Sequence, residues 1–221
     1  MMDIFRRLTD AAMGKAFSGI YRKHNWFHGS GSGSLPENTT VYRKFLEHFI
    51  RTHRIKSVLD LGCGDWQSSK FIDWDGARYI GIDVVPSLIE TNKKLYANET
   101  VQFSCGDFSP CVLPPADLII IKDVLQHWPN DQVDLFLQRL ADCNFKYALV
   151  TNTCQSIDIS DPDNPKPIQE DINRAIKIGE SRAFDPLLPP FSIEGSEVLQ
   201  YASIKRHAPI QDIKTVVLLK K

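Results

Sequence analysis

The stretch VLDLGCGDW, residues 58–66, decides how this chain is read. A short apolar run carries a carboxylate, Asp60, and then turns through two glycines, Gly62 and Gly64, separated by Cys63. Glycine suits such a turn because the backbone bends tightly and a ligand must approach without a Cβ in its way. Asp83 closes the next apolar run, YIGID, at residues 79–83. Doubly wound α/β folds place a carboxylate about 20 residues past the glycine turn, where it accepts hydrogen bonds from ribose hydroxyls. The spacing predicts an adenosine-containing ligand. A dinucleotide fingerprint would add a third glycine, where this chain has Gln67, a side chain that crowds the helix against a pyrophosphate. NAD and FAD are disfavoured on that ground.

Outward from this turn the chain alternates between two patterns. Short apolar runs of strand character stand at 57–61, 79–85, 101–105, 117–121, 147–151 and 214–219. Helical periodicity stands between them at 87–97 and 131–143, and ahead of them at 41–54, where Asn38, Thr39 or Thr40 is placed to cap. Strands separated by helices predict βαβ units, a parallel sheet and helices on both faces. Residues 3–22 read as an amphipathic helix through Ile4, Phe5, Leu8, Ala12, Ala16 and Ile20. The Gly/Ser alternation at 29–34 reads either as a flexible linker or, given the neighbouring Trp26 and Phe27, as a segment that docks over something. Residues 155–191 break the rhythm with repeated prolines around one short helical stretch at 168–179. The expected organisation is an extension over 1–40 and a single domain over 41–221, with 155–191 a substrate-side insertion.

Bulk properties narrow the function. A chain of 221 residues builds one self-sufficient core. The 26 Lys and Arg balance 27 Asp and Glu, so the net charge of -1 gives no drive toward nucleic acid or anionic membrane. There is no apolar run near the roughly 20 residues a membrane span requires. The N-terminus lacks a continuous apolar stretch because Arg6, Arg7, Asp10 and Lys15 interrupt it, so a cytoplasmic location is expected. The five cysteines contain no C-x-x-C pair and are read as reduced thiols. His24, His28, His48, His53 and His207 lack metal-ligand spacing, so no metal is expected. Neither a P-loop nor a G-x-S-x-G elbow is present.

On these residues the chain resembles the class I S-adenosylmethionine-dependent methyltransferase family, whose first motif is an acidic residue, an apolar residue and G-x-G. The resemblance covers roughly 56–152. It implies a Rossmann-like α/β fold with a seven-stranded, mostly parallel sheet, a last antiparallel strand and helices on both faces. It implies S-adenosyl-L-methionine as cofactor, with Gly62, Cys63 and Gly64 against its methionine and ribose, Asp83 and Val84 at the ribose, and Asp107 and Phe108 at the adenine. Asp60 would support the loop and the cofactor's ammonium, and Lys122 would join this set. A looser likeness, carried by Trp26 with Gly29–Ser34, by Lys122, Asp123 and His127, and by Pro189, Pro190 and Phe191, is to bacterial members associated with sugars of surface polysaccharides or related small molecules. The chain departs from that group's W-R-P with Ser181, Arg182 and Ala183.

Ligands of open α/β sheets bind beyond the carboxyl ends of the strands, which puts Lys122 and Asp123 at the site. If the segment after them is helical, Asp123 and His127 share a face and suit a carboxylate orienting a general base. Asp123 and His127 are therefore the expected catalytic residues, and Trp26, Asn152 and Arg182 the expected substrate contacts. The expected reaction is methyl transfer to a small-molecule or sugar hydroxyl, with a small amine as the alternative acceptor. A noncatalytic S-adenosylmethionine-binding protein is the reading of another class. An oligomer is compatible with all three.

Overall fold

The computed structural model describes residues 12–26, 28–109, 113–158, 160–161, 163, 166–168, 171–203 and 210–219. Strands β1 (Ser57–Leu61), β2 (Arg78–Asp83), β3 (Val101–Cys105), β4 (Ala116–Lys122), β5 (Phe145–Asp158), β6 (Lys166–Pro167), β7 (Ser196–Ser203) and β8 (Ile210–Leu219) form one sheet. Its order is β3-β2-β1-β4-β5-β8-β7, with β6 paired to β5 off that path. The first five strands run parallel, and β8 is antiparallel to both β5 and β7. The expected seven-stranded path with an antiparallel last strand is thus present, together with the small β6.

Strand alternation builds two cores. Leu59, Leu61, Ile119, Ile121 and Val150 face helices α1 (Ala12–Arg22) and α4 (Asn130–Asp142), through Met13, Phe17, Val133, Phe136 and Leu140. Val58, Leu118, Ile120 and Leu149 face α2 (Thr40–Thr52) and α3 (Pro86–Tyr96), through Tyr42, Leu46, Phe49, Ile50 and Ile89. The spacing of Tyr42, Leu46, Phe49 and Ile50 is one face of a 3.6-residue helix. Only 12–22 of the N-terminal helix expected over 3–22 falls within the described residues, and it is helical. Cys63, Cys105, Cys143 and Cys154 are free thiols; Cys111 lies outside the described residues.

Three local expectations are corrected. Thr39 occupies the N-cap position of α2, but its hydroxyl donates to the carbonyls of Leu35 and Pro36 instead of capping. The 168–179 stretch is not helical over its described part; Asn173 takes a left-handed φ of 62° there. Its buried amide donates to the carbonyls of Asp185, Leu188 and Pro189 and accepts from Asp185 N, which suits an irregular chain and not a helix. Finally, β5 runs past residue 151 to Asp158, because β8 pairs with its extension around a bulge at Thr153/Gln155.

Asn173 is therefore the fastener of the 171–191 segment. Replacing it with alanine strips partners from three carbonyls and one amide, and puts a Cβ-bearing residue without local hydrogen bonds in the left-handed region. The expected loss is about 3 kcal/mol, or about 8 °C in melting temperature for a chain of this size. Thermal unfolding monitored by circular dichroism measures it.

Candidate active site

The carboxyl ends of β1, β2 and β4 open into a cavity of about 720 Å³, a size ordinary for a small-molecule pocket. Asp60, Gly62, Cys63, Gly64, Asp83, Val84, Phe108, Lys122, Asp123 and His127 all line it, as do Trp26 and Arg182. The structure brings these expected residues together. Neither Asp107 nor Asn152 is among the described residues lining it. Asp107 is turned to Ser109, whose N–H and hydroxyl both donate to its Oδ1. Asn152 is fully buried in β5.

The glycine turn is held from several sides. Gly62 and Gly64 have φ of 80° and 56°, in the region that favours glycine. Gly62 N donates to Ile82 O at 2.8 Å, Gly64 N donates to Asp83 Oδ2 at 3.0 Å, and Asn92 Nδ2 donates to Gly64 O at 2.8 Å. A Cβ on Gly62 would meet Val124 Cγ2 at 2.4 Å, and one on Gly64 would meet Ser30 Oγ at 2.4 Å. The close approach at these glycines is thus made by the protein's own covering segments.

Asp83 Oδ1 accepts from Val85 N at 3.0 Å, so each of its oxygens has one fixed partner and a lone pair left over. Asp60 accepts from Tyr79 Oη at 2.6 Å. Burial pushes both carboxyls up to about 6, against the hydrogen bonds from Tyr79 to Asp60 and from the backbone to Asp83. The raised values make both stability and binding depend on pH. In the unliganded protein the two groups' contribution to stability is full below their unfolded value near 3.8 and is lost as pH rises through about 6. A cationic ligand prefers the ionised carboxylates, so its affinity is expected to fall as pH drops below about 6, which titrations at pH 7.5 and 5.0 would measure.

The Gly/Ser segment is ordered and docked. Ser30 N donates to Asp65 Oδ2, Asp65 N donates to Ser30 Oγ, and Ser30 Oγ pairs with Tyr21 Oη at 2.7 Å. Gln67 Nε2 donates to His28 O, and Lys122 Nζ donates to Gly33 O at 3.2 Å. Of the two readings open for 29–34, this is the docking one.

Beyond β4 the expectation of an Asp–His pair on one helix face is corrected. Asp123 takes a left-handed φ of 56°, and the chain then makes a single 3₁₀ turn, Leu125–His127. The i, i+4 geometry of an α-helix is therefore absent. Asp123 pairs with Lys122. His127 is oriented instead by Glu180 O, 3.0 Å from Nδ1. A carbonyl only accepts, so Nδ1 carries the proton and Nε2 holds a lone pair. Gln126 Oε1 accepts from Thr153 N at 3.1 Å, which turns its NH2 toward His127 Nε2, 3.4 Å away. Burial lowers the imidazole's pKa below 6.5, and Arg182 lowers it further, against the Glu180 carbonyl and the Asp123 charge. The Trp26 ring lies over it with centroids 4.8 Å apart.

Arg182 is buried, donating to Trp128 O at 2.7 Å and Leu125 O at 3.3 Å, so it clasps the His127 turn from below. Sequence reading passes over Tyr21, Gln126 and Arg174, which also line the cavity, as does Ser30 of the docked segment. Gln126 sits inside the KDVLQHW motif, where its place beside His127 is a usable signal; the others carry no local signal. Among the described residues no group of three or more His, Cys, Asp or Glu side chains is placed to hold a metal ion. Nor is any described helix long and apolar enough to cross a membrane.

A mostly parallel sheet whose first strand runs into a Gly-Cys-Gly turn and whose second ends in a buried carboxylate is the arrangement by which α/β domains take adenosine-containing ligands. Residues 58–144 match the family described as Methyltransferase domain. Malonyl-acyl-carrier-protein O-methyltransferase of Acetivibrio thermocellus is 30% identical over 76 residues, which is 34% of this chain and 27% of that protein. The match thus spans about a quarter of that relative's length. Similar solved structures include the 1,6-didemethyltoxoflavin-N1-methyltransferase of Burkholderia thailandensis with bound S-adenosylhomocysteine, at TM-score 0.59, 13% identity, and 93% and 87% of the two chains. An N-methyltransferase of Bradyrhizobium japonicum has TM-score 0.58 at 11% identity over 84% of this chain and 98% of that one. Magnesium protoporphyrin IX methyltransferase of Synechocystis has TM-score 0.54 at 14% identity over 81% and 83%. The chain thus carries a methyltransferase-domain match over residues 58–144 and shares the fold of solved methyltransferases, including ones with bound S-adenosylhomocysteine.

The site's chemistry fits S-adenosylmethionine. Asp83 offers acceptors for ribose hydroxyls, Val84 and Phe108 offer apolar flanks for adenine, and Asp60 with the 62–64 backbone offers a negative wall for a cationic methionine end.

Proposed function

We propose that this protein transfers a methyl group from S-adenosylmethionine to a hydroxyl of a small molecule, with a sugar as one such acceptor, in the cytoplasm. The observation that carries the reading is the setting of His127 on the cavity wall: Nδ1 lies 3.0 Å from Glu180 O, which leaves the lone pair to Nε2, and burial lowers the imidazole's pKa. A hydroxyl must lose its proton as it attacks, and a neutral imidazole held in one tautomer takes it. An amine attacks through its own lone pair and needs this help less. The names of the similar proteins include both O- and N-methyltransferases, so His127 and not likeness carries the choice.

Bound S-adenosylmethionine supplies an electrophilic methyl group on a sulfonium. The chain's part is to hold the acceptor and accept its proton. Trp26 packs against one face of the imidazole, Gln126 holds Nε2 until the acceptor displaces its weak contact, and Glu180 O anchors Nδ1–H. The docked 28–34 segment and the 171–191 segment, tied down through Gly179 N to His127 O and Phe184 N to Thr153 O, cover the acceptor and exclude water. The test is incubation with methyl-labelled S-adenosylmethionine and a panel of sugars, phenols and amines. Label on an oxygen supports the proposal; label on amines alone moves the assignment to N-methylation; no label with any acceptor, despite cofactor binding, supports a noncatalytic role.

A further inference from the structure

The cavity is polarised along its length. Its cofactor end carries Asp60, Asp65 and Asp83, with Lys122 already paired to Asp123. Beyond His127 the wall is lined by Arg174 and Arg182, together with Ser156, Ser181 and the exposed Asp171. Arg174 Nη2 donates to Ser181 O at 2.8 Å, the carbonyl just before Arg182, so the two guanidinium side chains belong to one small patch. Arg182 is 5% exposed, and its Nε has no hydrogen-bond partner among the described residues. Its remaining contacts are neutral: the carbonyls of Trp128 and Leu125, and the Phe184 ring 5.3 Å from Cζ.

Among the described residues neither arginine has a carboxylate within salt-bridge distance. Carbonyl dipoles and a ring soften the cost of a buried cation without cancelling its charge. Burial and the Arg174 charge together hold the Arg182 guanidinium down to about 10, as two cations close together in one patch do. A cleft lined by one sign of charge focuses such a potential on whatever enters it.

Resting on the proposed function for the position of the acceptor, we infer that the methyl acceptor is an anion whose carboxylate or phosphate group sits against Arg174 and Arg182, with its nucleophile toward His127. Arg174, at the exposed rim, makes the direct contact, and Arg182 supplies charge from beneath. The same potential repels cationic acceptors, so a protonated amine is a poor substrate.

The test uses the whole protein saturated with S-adenosylhomocysteine, titrated calorimetrically at constant ionic strength with benzoate, phenyl phosphate and the neutral benzamide. Saturable binding of one of the anions at least tenfold tighter than benzamide, lost in Arg174→Gln and largely kept in Arg174→Lys, supports the inference. The tighter of the two anions then identifies the group as carboxylate or phosphate. Equal binding of benzamide, no binding of either anion, or an anion preference that survives Arg174→Gln would overturn it. The preceding S-adenosylhomocysteine titration reports on the methyltransferase reading by itself: should it fail, the three probes are titrated into the unliganded protein, where the same comparison decides the anion site.

Discussion

Replacing His127 with alanine is expected to lower turnover by about 10²–10⁴-fold, the usual contribution of a positioned general base, while leaving S-adenosylmethionine affinity unchanged. The split comes from where the ring stands. Its Nδ1–H is committed to Glu180 O, and its Nε2 lone pair lies at the cavity wall, on a different element from the Asp83 carboxylate to which we assign the ribose. Because burial and Arg182 lower its pKa, the wild-type enzyme's acidic limb in kcat/KM is expected below pH 6.5, and the variant is expected to lose that limb. Steady-state kinetics across pH 5 to 8 with the acceptor found in the labelling screen would read both effects. A variant with undiminished turnover, or with turnover and cofactor affinity falling in proportion, would show that His127 only packs beneath Trp26.

Asp83→Ala is expected to weaken S-adenosylmethionine binding by about 100-fold or more. Two losses combine. The free lone pairs that ribose hydroxyls would use go, at about 1.5–3 kcal/mol for each charge-assisted hydrogen bond. The fixed partners of the carboxylate, Gly64 N and Val85 N, are also released, and with them the shape of the glycine turn. Asp83→Asn separates the two contributions, since it retains one acceptor oxygen but presents an NH2 to a backbone donor; it should bind between wild type and Asp83→Ala. Calorimetric titration of all three proteins at pH 7.5, above the range where Asp83 protonates, gives the ranking.

Much of this is legible from local chemistry. Asp60, the two glycines and Asp83 mark the candidate cofactor end because turn conformation and strand ends are short-range matters, carried by residues 58–83. Strand and helix alternation points to the parallel sheet for the same reason. The features that escape depend on distant partners. The helical spacing at 168–179 is overridden by Asn173, whose amide bonds are to residues up to 16 positions away. Strand β7 lies at the sheet edge and is mostly exposed, so its apolar alternation is too weak to read. His127 is visible as a candidate base, but local spacing assigns its orientation to Asp123; the carbonyl that holds it belongs to Glu180, 53 residues on. Backbone groups leave no mark on a sequence. Likewise the two arginines become a patch only when the 171–191 segment folds back on the 3₁₀ turn, through Gly179 N to His127 O and Arg182 N to Gln126 O.

The measurement that bears most directly on the central claim is calorimetric titration of S-adenosylmethionine into the wild-type protein at pH 7.5. One molecule bound per chain, with competition by S-adenosylhomocysteine and weaker binding at pH 5.0, is the predicted result. An absence of binding by the folded protein would contradict the assignment of this cavity to the cofactor, and with it the methyl-transfer reaction built upon it.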